Sequence, residues 1–355
     1  MSERPSPYAP PESDTRSPEG SAPRGADAAL PEASTPIAVL LSLLWPGVGH
    51  AYARRSLRGA AWIGLVVLSS LLIAALLRAG ARSIAVIYSI VLFAGLGVRL
   101  LAAIDVATVL RRRRGPRAPI VQTIVAWCLV CAVLIANALG TRFFVFEAFK
   151  IPSGSMIPTL LVGDHVFIDK MQPAARGDVI VFPFPEKPEQ EFIKRIVGLP
   201  GDRLAFHDGH PILNGVALPS CLLGAGSYDD PGGEVQKHEG KVYLERLGDR
   251  SYLAIYEESS GMPSDQGPYV VKSGEVFVLG DNRNNSHDSR MWFGGEGGGV
   301  PIATVKGVPF AVWLSMDDRG FDWTRFGLAL DGPHLPRGMA SLAPALERCV
   351  AQLAH

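Results

Sequence analysis

Between residues 36 and 139 the chain carries four apolar runs, at roughly 36–52, 60–77, 84–110 and 119–139, and nothing comparable comes after them. About 20 apolar residues suffice for a helix to cross a hydrocarbon core of about 30 Å. Residues 60–77 and 119–139 approach that length and are expected to span. In the third run Arg99 and Asp105 shift the expected crossing to about 84–104. That leaves the polar pair at the interface or facing another helix. The first run is interrupted at Pro46 and Gly47 after about ten apolar residues, so it either spans or only dips into the bilayer.

Charge gives these runs an orientation. Arg54, Arg55 and Arg58 lie between the first and second runs, and Arg111, Arg112, Arg113, Arg114 and Arg117 between the third and fourth. Both clusters are expected on the cytoplasmic side, which leaves the chain beyond Leu139 extracytoplasmic. Arg78 and Arg82 in the opposite loop are too few to reverse this. Four crossings put the amino-terminal tail outside and three leave it inside. The turn from Pro46 to Tyr52, followed by basic residues and a second helix, loosely resembles small two-helix membrane modules and implies a helical hairpin. Residues 1–35, rich in Pro, Ser, Ala, Glu and Asp, show no apolar period and are expected to be a disordered tail. They lack the basic-then-apolar start of a cleavable export signal, so residues 36–142 read as a retained membrane region. Lys plus Arg equals Asp plus Glu at 34 each, and this balance suggests no nucleic-acid partner.

Beyond Phe149 the pattern changes to short runs of Val, Ile and Phe: 165–169, 178–182, 192–197, 241–247, 252–256, 269–271, 276–279 and 309–314. Gly, Pro, Asp and Asn clusters separate them, which predicts strands. The expected fold class is therefore mixed: a multi-span α-helical membrane anchor, then a mostly antiparallel all-β domain over residues 143–335. At the end Leu342, Leu346, Val350 and Leu353 recur at helical spacing, predicting a short amphipathic extension over 336–355, with Pro344 tolerable only in its first turn. The glycine-rich 294–299 reads as a loop, and 205–275 carries no assignable motif.

Within the β part three stretches bear chemistry. Ser153-Gly154-Ser155 is a small-residue turn flanked by Pro152 and Pro158, which can hold a hydroxyl up for reaction, and Ser155 is the candidate nucleophile. The second stretch is Phe192-Ile193-Lys194-Arg195-Ile196-Val197-Gly198-Leu199-Pro200-Gly201-Asp202. The third is Gly280-Asp281-Asn282-Arg283-Asn284-Asn285-Ser286-His287-Asp288-Ser289-Arg290. Together and in this order, over roughly residues 143–330, they resemble bacterial type I signal peptidase, a family with a mostly antiparallel β catalytic domain.

The resemblance implies a membrane-bound serine endopeptidase that removes signal peptides with a Ser155–Lys194 dyad. A lysine, whose ordinary pKa is about 10.4, serves as a base near neutrality only if burial disfavours its charge. Phe192, Ile193, Ile196 and Val197 suit that demand. Arg195 cannot deprotonate and is expected to be structural. By the same resemblance, the Ser153 hydroxyl and the Ser155 N–H form the oxyanion hole, Ser286 orients the lysine amine, and Asp288 and Arg290 support the site. Asn282, Asn284 and Asn285 can be read as a turn. Phe149, Ile151, Pro152, Met156 and Leu160 are placed near shallow pockets that accept small side chains. The expected partners are exported preproteins, the lipid bilayer and, potentially, export machinery. The expected location is the bacterial cytoplasmic membrane, multi-pass, with the catalytic domain outside. Ser–Lys chemistry requires no metal or cofactor. The alternative is a non-catalytic membrane factor that binds signal sequences; related self-cleaving repressors are soluble, which the apolar runs argue against. Cys128 and Cys131 read as packing residues, and Cys221 and Cys349 could pair under oxidising conditions, but sequence does not place their Cα atoms.

Overall fold

The computed structural model describes residues 31–78, 84–113, 115–144, 146–230, 236–257, 263–317 and 320–354. Residues 1–30 of the expected tail, together with Arg82 and Arg114, lie outside them. The first part is helical: α1 (Thr35–Leu44), α2 (Val48–Tyr52), α3 (Ser56–Arg78), α4 (Ile84–Arg112) and α5 (Ile120–Phe144). The residue before a proline avoids helical geometry, so α1 stops with Trp45 in an extended conformation ahead of Pro46. Gly47 then turns the chain at φ +92, and a Cβ there would sit 2.4 Å from the Gly59 carbonyl oxygen, so only glycine lets α3 pass this close. Ala38, Tyr52, Ala53, Val106 and Leu110 make a small core between α1, α2 and α4. Asp105 faces other helices: its carboxylate accepts from Trp62 Nε1 (3.0 Å) and Arg58 (3.3 Å) and lies 3.0 Å from His50 Nε2.

Among the described residues, no helix is long and apolar enough to cross a membrane. This overturns the expected multi-span anchor. The proline ends α1 after 10 residues. α4 carries Arg99, Asp105, Arg111 and Arg112. The crossing count and the multi-pass arrangement fall with the anchor. Leu68 and Leu71 on α3, and Ile124 and Leu129 on α5, are exposed.

From Phe146 onward the chain is β, as its short runs predict. The first strands are β1 (Phe146–Lys150), β2 (Asp164–Asp169), β3 (Val179–Phe184), β4 (Lys187–Gly198), β5 (Arg203–His207), β6 (His210–Leu213) and β7 (Val216–Ala217). Next come β8 (Ser220–Asp230), β9 (Gln236–Leu247), β10 (Arg250–Glu257), β11 (Gln266–Val270) and β12 (Glu275–Leu279). The last are β13 (Val300–Pro301), β14 (Val308–Asp317) and β15 (Gly320–Phe321). They pair antiparallel, in the orders β1-β2-β14-β15, β13-β12-β4-β3, β11-β5-β6-β7 and β10-β9-β8. β2 alternates buried and half-buried residues, the mark of a strand with one face on a core. β4 differs along its length: exposed over Lys187–Glu191 and buried from Ile193 to Gly198. Its second half therefore runs through the middle of the domain.

The carboxyl-terminal extension is α6 (Ala343–Leu353), with Pro344 in its first turn, where the missing N–H costs nothing. Leu342, Ala345 and Cys349 pack into the core of β8–β10, with Leu346 and Leu353 against it, whereas Val350 is 45% exposed. Cys221 on β8 and Cys349 on α6 form a disulfide with Cα atoms 5.6 Å apart, a pairing the sequence leaves open. Packing of the helix on the sheet brings together two cysteines 128 residues apart, a proximity no spacing reveals. Cys128 and Cys131 on α5 are free.

Candidate active site

Ser153 is extended, and a single 3₁₀ turn over Gly154–Met156 comes next. Met156, Ile157 and Leu160 beneath this turn are almost wholly buried and pin it to the core. On its upstream side the Ile151 N–H donates to the Asp164 carbonyl (2.7 Å) and the Gly163 N–H to the Ile151 carbonyl (3.0 Å), tying the segment to β2. Ser155 is left at 8% exposure, with its Oγ 3.4 Å from that of the exposed Ser153.

Lys194 enters from β4, opposite Ile180 of β3 and on the same strand face as Phe192 and Ile196. It is 4% exposed. Its Nζ donates to Ser155 Oγ at 2.7 Å and to the Ile193 carbonyl at 2.9 Å, and lies 5.2 Å from the centre of the Phe192 ring. Neither hydrogen-bond acceptor is a carboxylate. Burial therefore dominates and brings the amine down to about 8, against the pull of Asp288 and Asp281, whose charges favour the protonated form.

The Gly280 stretch closes over the turn. A Cβ on Gly280 would lie 2.5 Å from the Ser155 carbonyl oxygen and 2.2 Å from Ser286 Oγ, so no larger residue allows this approach. Asp288 accepts from the Gly280 N–H (3.0 Å) and pairs with Arg290 through Nε (2.8 Å) and a terminal nitrogen (2.8 Å). Burial pushes the Asp288 carboxyl up, but Arg290 more than offsets it and holds it below its ordinary value. Ser286 Oγ is buried beside Gly280, near that carboxylate, and among the described residues it makes no hydrogen bond to the lysine amine.

The candidate dyad is thus in direct contact, with Ser153, Ser286, Asp288 and Arg290 around it. Of the expected pocket residues, Phe149 is half-buried and Pro152 exposed, while Ile151, Met156 and Leu160 form the floor under the turn. Arg195 is bound to Asp281 by Nε (2.8 Å) and a terminal nitrogen (2.6 Å), and Thr159 Oγ1 donates to the same carboxylate (2.5 Å). Arg283, Glu245, Tyr252 and Tyr256 form a second buried cluster.

Sequence reasoning missed Asn282. Its backbone N–H donates to the Ser155 carbonyl (3.1 Å) and its side-chain amide to the Gly154 carbonyl (3.1 Å), so it clamps the serine turn rather than merely making one of its own. It also missed Glu245, an acid between Leu244 and Arg246 in a strand rich in apolar residues. Among the described residues no group of three or more His, Cys, Asp or Glu side chains gathers as a metal site would require.

Residues 123–314 match the family described as signal peptidase, peptidase S26. The signal peptidase I of Pseudomonas aeruginosa is 35% identical over 204 residues, 51% of this chain and 69% of that protein. That of Aquifex aeolicus is 30% identical over 213 residues, 52% of this chain and 81% of its own length. A crystal structure of a signal peptidase I from Enterococcus faecalis V583 shares 30% sequence identity, covering 39% of this chain and 97% of that one with a TM-score of 0.22. With more than half of its length matched by the family and relatives matched over more than two thirds of theirs, the chain belongs to the signal peptidase family, peptidase S26.

Proposed function

We propose that Ser155 is the nucleophile and Lys194 the general base of this chain, a type I signal peptidase that cleaves signal peptides as a serine hydrolase. The observation that carries the assignment is the 2.7 Å contact between Lys194 Nζ and Ser155 Oγ, made by an amine that burial brings to about 8. The neutral amine takes the Ser155 proton as Oγ attacks the scissile carbonyl. The oxyanion that forms accepts from the Ser155 N–H and the Ser153 hydroxyl. The lysine ammonium then gives its proton to the leaving amine, and the acyl-enzyme is hydrolysed by a water whose proton the same amine takes.

Ser286, whose hydroxyl lies beside Gly280 near Asp288, is assigned to orient the amine as it cycles between charge states. Asp288 and Arg290 hold that segment in place. Phe149 and Pro152 border the substrate site, and Ile151, Met156 and Leu160 set its depth from below, so large side chains before the cut are rejected by overpacking. We assign residues 143–335 as the catalytic unit and 336–355 as an extension fastened to it. The substrates are exported preproteins, and the site works on the extracytoplasmic face beside the bilayer, where export machinery delivers them. The disulfide between Cys221 and Cys349 supports an oxidising surrounding. No observation favours the non-catalytic reading, since both members of the dyad are present and in contact.

The test is cleavage of a preprotein with a small residue before the cut. Wild type is expected to release the mature protein, while Ser155→Ala and Lys194→Ala release none. Undiminished cleavage by Ser155→Ala would overturn the assignment.

A further inference from the structure

The peptide unit between Gly154 and Ser155 contains both the Gly154 carbonyl and the Ser155 N–H. In a planar trans peptide these point in opposite directions, so whatever fixes the carbonyl aims the N–H. Two donors hold it: the Ile157 N–H from within the 3₁₀ turn (3.1 Å) and, from outside the turn, one hydrogen of the Asn282 side-chain amide (3.1 Å). The other hydrogen of that amide goes to the Tyr228 phenol oxygen at 2.6 Å. Among the described residues Asn282 Oδ1 meets no donor, so the orientation of the amide rests on these two donated bonds.

The phenol oxygen is fully engaged. It donates its proton to Glu257 and accepts from both Asn282 and Asn285 Nδ2 (3.1 Å). Burial pushes the phenol pKa up and keeps that proton in place. Behind it, the second Glu257 oxygen lies 3.1 Å from His238 Nδ1, and the His238 ring stacks on Tyr228 with centroids 5.0 Å apart. β8 and β9 pair residues 228 and 238 directly across the sheet, and Tyr228 is 8% exposed. A continuous chain thus runs from the β8–β10 sheet, in a stretch that carries no motif, to the nucleophile's own peptide.

We infer that Tyr228, held by Glu257 and His238, is a positioning residue that aims the Ser155 N–H at the oxyanion through Asn282. This rests on the reading of that N–H as an oxyanion donor. Loss of an oxyanion donor costs about 100-fold or more in kcat, and misaiming one costs less, about tenfold. Tyr228→Phe keeps the ring but removes the oxygen.

The experiment is steady-state cleavage of a preprotein by the full chain carrying Tyr228→Phe, Glu257→Gln or Val242→Ala, beside Ser155→Ala. Tyr228→Phe is expected to lower kcat about tenfold with KM within about twofold, leaving the midpoint of the pH profile unchanged because Lys194 is untouched. Glu257→Gln retains an acceptor for the phenol and should stay within about threefold of wild type. Val242→Ala trims the core beneath the same sheet and should lower Tm without lowering kcat, which separates positioning from general loss of stability. An unchanged kcat in Tyr228→Phe, while Ser155→Ala is inactive, overturns the inference and leaves the dyad standing. A kcat that falls equally in Tyr228→Phe and Val242→Ala overturns it too. Activity surviving in Ser155→Ala would instead overturn the nucleophile assignment beneath it.

Discussion

Lys194 and Arg195 are adjacent on β4, both are buried, and they point to opposite faces of the strand, where their charges are treated in opposite ways. Arg195 meets the Asp281 carboxylate through two bonds, donates to the Gly177 carbonyl (2.7 Å) and lies 4.0 Å from the centre of the Tyr252 ring. Burial works against its charge, but Asp281 more than compensates and its pKa is raised. Lys194 meets only a hydroxyl and a carbonyl, with Asp288 and Asp281 acting from further off, so burial wins. A buried cation bonded to a carboxylate keeps its proton and serves the fold. One denied such a bond gives up its proton more readily.

Substitutions on the two faces should therefore fail differently. The largest effect is expected from Lys194→Ala or Ser155→Ala, which should lower kcat/KM about ten-thousandfold in a preprotein assay while the chain stays folded. Arg195→Met leaves Asp281 buried without its partner and should cost about 3–5 kcal/mol in urea unfolding. Its loss of activity should track the loss of folded protein.

Lys194→Met sharpens the contrast, because it should raise stability. The folded-state pKa of Lys194, about 8, lies below its ordinary 10.5, so between these values the unfolded chain holds more protons and stability rises with pH. Below about 8 the native state bears a penalty on the order of 3 kcal/mol, which the methionine removes. Urea unfolding should show Lys194→Met more stable than wild type at pH 7, with the gap narrowing above pH 8 and closing by about 10.5. A wild type as stable as the variant at pH 7 would mean that the amine is not desolvated. The smallest effect belongs to Asp288→Asn. Its charge favours protonated Lys194, so its removal should shift the activity midpoint downward by about half a pH unit or less, read from the pH profile of the residual activity.

Legibility in the sequence divides along similar lines. The serine turn, the lysine stretch and the Gly280 stretch stood out in the sequence by their residues, and the structure brings the three together. The half-buried strand β2 was legible because it alternates. β8, with Gly224 and Gly226 in Ser220–Asp230 and no regular alternation, was not. Asn282 reads as a turn former, and its clamp on Ser155 appears only once β10 and the Gly280 stretch lie side by side, as the Ile255–Asn282 bridge shows. The pairing of Cys221 with Cys349 likewise depended on where α6 docks. Hydropathy misled at the other end of the chain: the apolar runs fold as helices, yet among the described residues none is long and apolar enough to cross a membrane.

The decisive measurement is the pH dependence of kcat/KM for one preprotein between pH 6 and 10. A buried lysine held near 8 predicts activity that rises with pH through about 8 and then levels off, as the free enzyme's base loses its proton. A limb at the ordinary histidine value of about 6.5, or no limb between pH 7 and 9, would contradict Lys194 as the base.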